Sequence, residues 1–118
     1  MATIVPVKSG IAGALVTRVA TTPGGDIVPY TGGDLILHFE NGHSSSITVN
    51  LAPTKVTGTL PGAGPVVVPT RSLVIAAGAE GVFFLGAGEA SAYVNNNRQI
   101  PITYTSGNAL MTLMAIAV

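Results

Sequence analysis

The stretch Asp34–Leu51, DLILHFENGHSSSITVNL, decides the fold class. It splits into two alternating runs about a turn. In Asp34–Glu40, Leu35, Leu37 and Phe39 share one face, and Ile36, His38 and Glu40 take the other. In Ser46–Leu51, Ile47, Val49 and Leu51 lie opposite Thr48 and Asn50. A period of two marks a half-buried strand, because successive side chains point to opposite sides of a pleated sheet. Between the runs stands Asn41–Ser45, led by Asn-Gly, a strong short-range hairpin signal. The stretch predicts a β-hairpin whose first-named face looks into a core.

Working outward, short runs of the same kind recur between turn residues, and no long segment keeps a 3.6-residue period. Ile11–Ala20 reads as a first strand, although its alanines leave a helix open. Thr21–Asp34, rich in glycine and proline, reads as a loop. Prolines between Pro53 and Pro65 exclude a central strand there, so this part reads as a long loop with a short edge strand at most. Thr70–Ala77 and Val82–Leu85 read as strands around the turn GAEG, and Ser91–Val94 as a further short strand. Asn95–Gln99, NNNRQ, forms a polar tip. Ile100–Thr105 and Ala109–Val118 flank the turn Ser106–Asn108 as a closing hairpin. About seven to eight short, mainly antiparallel strands, with turns every 8–12 residues, predict a small β-sandwich or barrel. Residues 1–118 suffice for one such domain. Neighbouring strands are expected to pair as hairpins, with at least one longer crossing between two sheets.

Composition narrows the function. Charged residues make up only 8% of the chain against 47% hydrophobic, so little repulsion opposes association. This balance favours a protein that packs against partners, including copies of itself. The five basic residues are scattered and the formal net charge is zero, which argues against nucleic-acid binding. No apolar run approaches the length of a membrane span. The absence of cysteine excludes disulfides, thiol catalysis and thiolate-bound zinc. Met1–Gly10 lacks the layout of a secretory signal.

The residues capable of chemistry do not assemble into a site on paper. His38 and His43 have only Glu40 nearby, short of the three or four ligands of a zinc centre. Ser44–Ser46 adjoin His43 inside one small turn, where triad geometry is not expected. Four of the five acidic residues sit in or beside glycine-rich turns, where local hydrogen bonding explains them. Gly86–Ser91, GAGEAS, lacks the third glycine and the helix of a dinucleotide loop. The expectation is no enzyme, no metal and no cofactor.

Candidate contact residues lie elsewhere. The last strand is apolar on both faces, with Leu110, Met114, Ile116 and Val118 on one and Ala109, Met111, Leu113, Ala115 and Ala117 on the other. Such a strand is covered on both sides, and a partner is a candidate for one of them, with Met111 and Leu113 as contacts. In residues 1–10, Ile4, Val5 and Val7 surround Pro6, a candidate arm that could add to a neighbour's sheet edge. Asn95, Asn96, Asn97 and Arg98 offer an exposed tip for a protein or a sugar.

The order of segments resembles a family, the small all-β virion proteins of tailed bacteriophages that serve as head decoration, cement or capsid-stabilising proteins. The resemblance rests on Gly33–Glu40, Asn41-Gly42, Ser45–Val49 and Pro53, then Ala76–Glu80, Val82–Leu85, Tyr93–Asn97, Ile102–Thr105 and the Met/Ala-rich end. It covers roughly residues 32–118. The family often carries an acidic Asn-Asp tip where this chain has Asn95–Gln99. The resemblance implies a structural protein on the capsid exterior, oligomeric, contacting the major capsid protein or a neighbouring virion protein. Assembly would take place in the bacterial host cytoplasm. The alternatives are a neck or tail component, or a β-sandwich module that binds carbohydrate or a cell surface.

Overall fold

The computed structural model describes residues 2–8, 18–53, 57–60, 64–67, 69–86 and 90–117. Twelve strands run in chain order: β1 (Ala2–Thr3), β2 (Val7–Lys8), β3 (Val19–Ala20), β4 (Asp26–Pro29), β5 (Leu35–Asn41), β6 (Ile47–Leu51), β7 (Thr57–Leu60), β8 (Gly64–Val67), β9 (Arg71–Ile75), β10 (Glu80–Leu85), β11 (Gln99–Thr105) and β12 (Met111–Ala117). The all-β expectation is borne out. One layer has the order β1-β4-β11-β6-β9, and the other β10-β5-β12-β2, with β3 also on β12. Strands β7 and β8 pair only with each other, antiparallel.

The inward rows are those that alternation marks. Leu35, Leu37 and Phe39 of β5 face Ile47, Val49 and Leu51 of β6 across a core completed by Phe83, Leu85, Ile100, Ile102, Met111 and Leu113. Phe39 meets Phe83 and Tyr104 edge-on, at ring-centroid distances of 6.2 and 6.4 Å.

The pairing differs from the expectation. β5 and β6 do not form a hairpin: β5 pairs with β10 and β12, and β6 with β11 and β9. Asn41–Ser46 therefore carries the chain from one sheet to the other. The same holds for β9–β10 and for β11–β12, which were expected to be hairpins. Each strand buries its apolar face on the same core, and two strands facing each other across that core satisfy alternation as well as two lying side by side. The structure corrects three further segments. β4 stands inside the expected loop 21–34, where Ile27 and Val28 supply the strand and the flanking glycines the turns. Ser91–Val94 is a turn, with the Tyr93 N–H on the Ala90 carbonyl at 2.9 Å. A local hairpin, β7–β8, occupies the expected loop. Of the expected first strand, Val19–Ala20 is a strand and 11–17 lies outside the described residues.

The described part of the N-terminal segment, residues 2–8, pairs within the chain. β1 runs parallel to β4 and β2 parallel to β12 of the same chain. The backbone crosses between sheets at Ile4–Pro6, where proline removes a donor that a continuous ladder would need. Ile4 is buried in the core and its N–H bonds the Ile27 carbonyl at 2.8 Å.

Asn41 holds the arches together. It is fully buried at the end of β5. Its amide Nδ2 donates to the carbonyls of Ser45 and Ile75, both at 2.9 Å, and of Ala76 at 3.3 Å. Its Oδ1 accepts from the His43 N–H at 2.9 Å. Its backbone bonds Gly78 and Ala79. One side chain thus joins the β5–β6 arch to the β9–β10 arch. Gly42 completes the junction with the third arch, since a Cβ there would lie 2.7 Å from the Leu110 carbonyl oxygen. The Asn-Gly pair serves close approach of backbones.

A second buried polar pair sits in the same layer as β4 and β11. Asp26 accepts the Tyr104 hydroxyl at 2.6 Å and the Thr22 N–H at 3.1 Å. Burial, then the hydrogen bond to Asp26 and its charge, push the Tyr104 phenol far above its ordinary value.

Two predictions follow from these buried groups. Asn41→Ala removes the donor to the buried Ile75 carbonyl and to the part-buried Ser45 and Ala76 carbonyls, and should lower unfolding free energy by about 2–4 kcal/mol. Asn50→Ala, which loses only exposed bonds to Thr105 and Ser72, should cost less than about 1 kcal/mol in the same denaturant titration. For Tyr104, the neutral phenol is favoured in the fold. Its contribution is whole below its ordinary pKa of 10.0 and declines above it, as the unfolded chain's phenol ionises. Stability should therefore fall more steeply above pH 10 in the wild type than in Tyr104→Phe, measured by urea unfolding across that range.

Candidate protein–protein interface

The two outer faces of the sandwich are built differently. On the β6–β9–β11 side, Thr103 lies opposite Asn50, Asn50 opposite Ser72, and Thr105 opposite Thr48. Their side chains bond one another: Asn50 Nδ2 donates to Thr105 Oγ1 at 3.1 Å, and Ser72 Oγ to Asn50 Oδ1 at 2.8 Å. Uncharged polar residues therefore make most of this face, with Val74, opposite Thr48 and 66% exposed, the apolar residue among them.

The outer face of β10–β5–β12–β2 is largely apolar. Register aligns it in rows. One row is Phe84, Ile36, Ile116 and Val7; the next is Val82, His38 and Met114. Phe84 and Val82 are each 54% exposed. Ile36, Met114, Ile116 and Val7 are half-buried against one another. The third row, Glu80, Glu40 and Thr112, closes the patch with charge.

Arg18 organises that charged rim. Its guanidinium lies 2.9 Å from His38 Nδ1, 3.4 Å from Glu40 Oε2 and 3.5 Å from Glu80 Oε1, and it donates to Thr112 Oγ1 at 3.3 Å. Because arginine can only donate, His38 Nδ1 accepts, and the ring proton sits on Nε2, 3.4 Å from Glu80 Oε1. The ion pairs are solvent-exposed and contribute little to stability. They set a polar border beside an apolar surface.

The residues expected to make contacts are distributed as follows. Met111, Leu113 and Ile4 are buried in the chain's own core and present nothing outward. The last strand is apolar on both faces, but its outward face is Thr112, Met114 and Ile116. Thr112 was the available signal: the one polar residue on that strand marks its solvent side. The runs Val82–Leu85 and Leu35–Leu37 carried the second signal, since apolar residues without alternation imply cover on both faces. Val5 is 71% exposed at the sheet crossing, and Val7 joins the apolar row.

The tip residues Asn95, Asn96 and Arg98, with Tyr30, Ser91 and Val94, line an open groove of about 340 Å³. Asn97 only donates its N–H to Asn95 Oδ1, at 2.9 Å.

His38 and Glu40 do share a face, as alternation requires, while His43 lies in the arch. No hydrogen bond joins Ser44, Ser45 or Ser46 to either histidine side chain. Among the described residues no group of three or more metal-ligating side chains converges, and no helix is long and apolar enough to cross a membrane. The chain matches no family model, no curated protein and no solved structure.

The assignment of faces is testable without a partner. Phe84→Asp, at a half-exposed strand position, should lower the unfolding free energy by no more than about 1 kcal/mol. Leu113→Ala, in the core, should cost about 2–5 kcal/mol.

Proposed function

We propose that this protein is a structural subunit of a tailed-bacteriophage particle that decorates or cements the capsid exterior. Its contact surface is the outer face of β10–β5–β12–β2, and its partner is the major capsid protein or a neighbouring virion subunit. The reading rests on the resemblance in segment order together with one observation: a continuous apolar row is turned outward on one sheet, while the facing rows of β6, β9 and β11 on the other are mainly hydrogen-bonded Thr, Ser and Asn with Val74 the single exposed apolar residue among them. The polar face demonstrates that this sequence can make a solvent surface without charges. The apolar row is the surface that offers a neighbouring subunit the most area to bury.

The size of the patch fits a repeated contact. Strands ~4.8 Å apart with outward side chains ~6.8 Å apart give it an area on the order of 300 Å². A stable pairwise complex ordinarily covers about 800 Å² on each partner. A contact of this size is weak alone and becomes strong when a lattice repeats it. Burying the remaining exposed half of a side chain such as Phe84 contributes about 1 kcal/mol at each site. The function proposed is mechanical and involves no reaction.

Particles assembled with the protein should survive heating to a higher temperature than particles without it, read by release of DNA to a dye. Phe84→Asp protein, folded as above, should fail to co-sediment with the particles. Equal heat resistance with and without the protein would end the stabilising role. Retention of Phe84→Asp on particles would move the contact to another face.

A further inference from the structure

We infer that the groove beside the Asn95–Gln99 tip is a binding site for a carboxylate-bearing sugar. This goes beyond the particle role and stands on other residues. The tip lies at the start of β11, at the far end of that strand from Thr105, which pairs with β6 beside the arches.

The turn is rigid. Asn95 Oδ1 accepts the N–H groups of Asn97 at 2.9 Å and Gln99 at 3.0 Å. The Asn95 N–H reaches the Gln99 carbonyl at 2.8 Å, and the Arg98 N–H reaches the Asn95 carbonyl at 3.1 Å. The Arg98 carbonyl in turn accepts the Tyr30 N–H at 2.9 Å. Arg98 is thus pinned on both sides of its peptide plane.

What is left over is a set of donors. With Oδ1 occupied, the free end of Asn95 is its Nδ2. The Tyr30 hydroxyl is outside that set, since it gives its one proton to the Gly33 carbonyl at 2.6 Å, and Tyr30 serves the groove as a wall. Arg98 is exposed, and among the described residues it is the one arginine whose guanidinium has no partner within the chain, since Arg18 and Arg71 are both engaged. A guanidinium fork beside amide N–H groups matches a carboxylate, which only accepts.

Arg98 has φ of 59°, in the left-handed region that glycine or asparagine would occupy with little strain, as has Ser106 in the turn before β12. The site is concave and about 340 Å³ in volume, lined in part by Tyr30 and Val94. That is room for one sugar ring, with an aromatic and an apolar residue in the walls and donors at one end.

The test is titration of the whole protein with glucuronic acid and with N-acetylneuraminic acid, followed by amide and arginine side-chain NMR shifts. Glucose and a glutamate-rich peptide are the comparison ligands. Saturable shifts at the tip are expected with the acids, and at least tenfold weaker binding with glucose. Arg98→Gly should bind the acids at least tenfold more weakly while its melting temperature is equal to or above wild type. Arg98→Lys should fall between, keeping charge and losing the fork. The inference is overturned if neither acid saturates, or if Arg98→Gly binds as wild type does. Binding of the peptide as tightly as the acids also overturns it, by making the groove a protein-docking site.

Discussion

The Asn41 amide is the interaction on which the rest of the fold depends. It lies where the chain leaves one sheet for the other, and no water reaches it. Its three donated bonds and one accepted bond close two arches at once. A buried polar network of this kind is valuable when every member is satisfied and damaging when one is missing. Here no buried side-chain nitrogen or oxygen among the described residues lacks a partner. Fixing the arches fixes which strands lie across the core from each other. That in turn sets which side of β5, β10 and β12 looks outward.

From the arch geometry follows the contrast between the two outer faces. β5, β10 and β12 lie together in one sheet, and each carries apolar residues on both sides. Their inner side makes the core with β6, β9 and β11. Their outer side gathers Ile36, Val82, Phe84, Met114 and Ile116 into one surface, bordered by the Arg18 cluster. The opposite sheet turns mainly Thr, Ser and Asn outward on β6, β9 and β11, with Val74 of β9 exposed among them. The sandwich is therefore two-sided in chemistry: one outer side is mainly uncharged and polar, the other mainly apolar. The groove at the Asn95–Gln99 tip is a third surface, and its donors are independent of both.

Much of this was legible in the chain. Alternation in Leu35–Phe39 and Ile47–Leu51 identified inward and outward residues correctly, because the two-residue period is a property of the strand alone. The doubly apolar last strand announced a covered outer side. Asn95–Gln99 read as a turn because asparagine closes turns with its own side chain, which is what Asn95 does. The errors share one source. Asn41-Gly42 was read for its frequent use in hairpins, whereas here asparagine bonds across arches and glycine admits the Leu110 carbonyl. Met111 and Leu113 were placed outward and lie inward, because alternation divides a strand into two faces without saying which one meets the other sheet.

The sequence by itself marked the longer strands, the division of each into two faces and the shortage of charge, since these depend on residues one or two apart and on composition. Only the tertiary structure decided the partners of each strand, the joining of arches through Asn41 and the gathering of Phe84, Ile36 and Ile116 into one row. Those residues are far apart in the chain. A strand's own pattern is satisfied equally by a neighbour beside it and by one across the core, so the choice belongs to the whole packed domain.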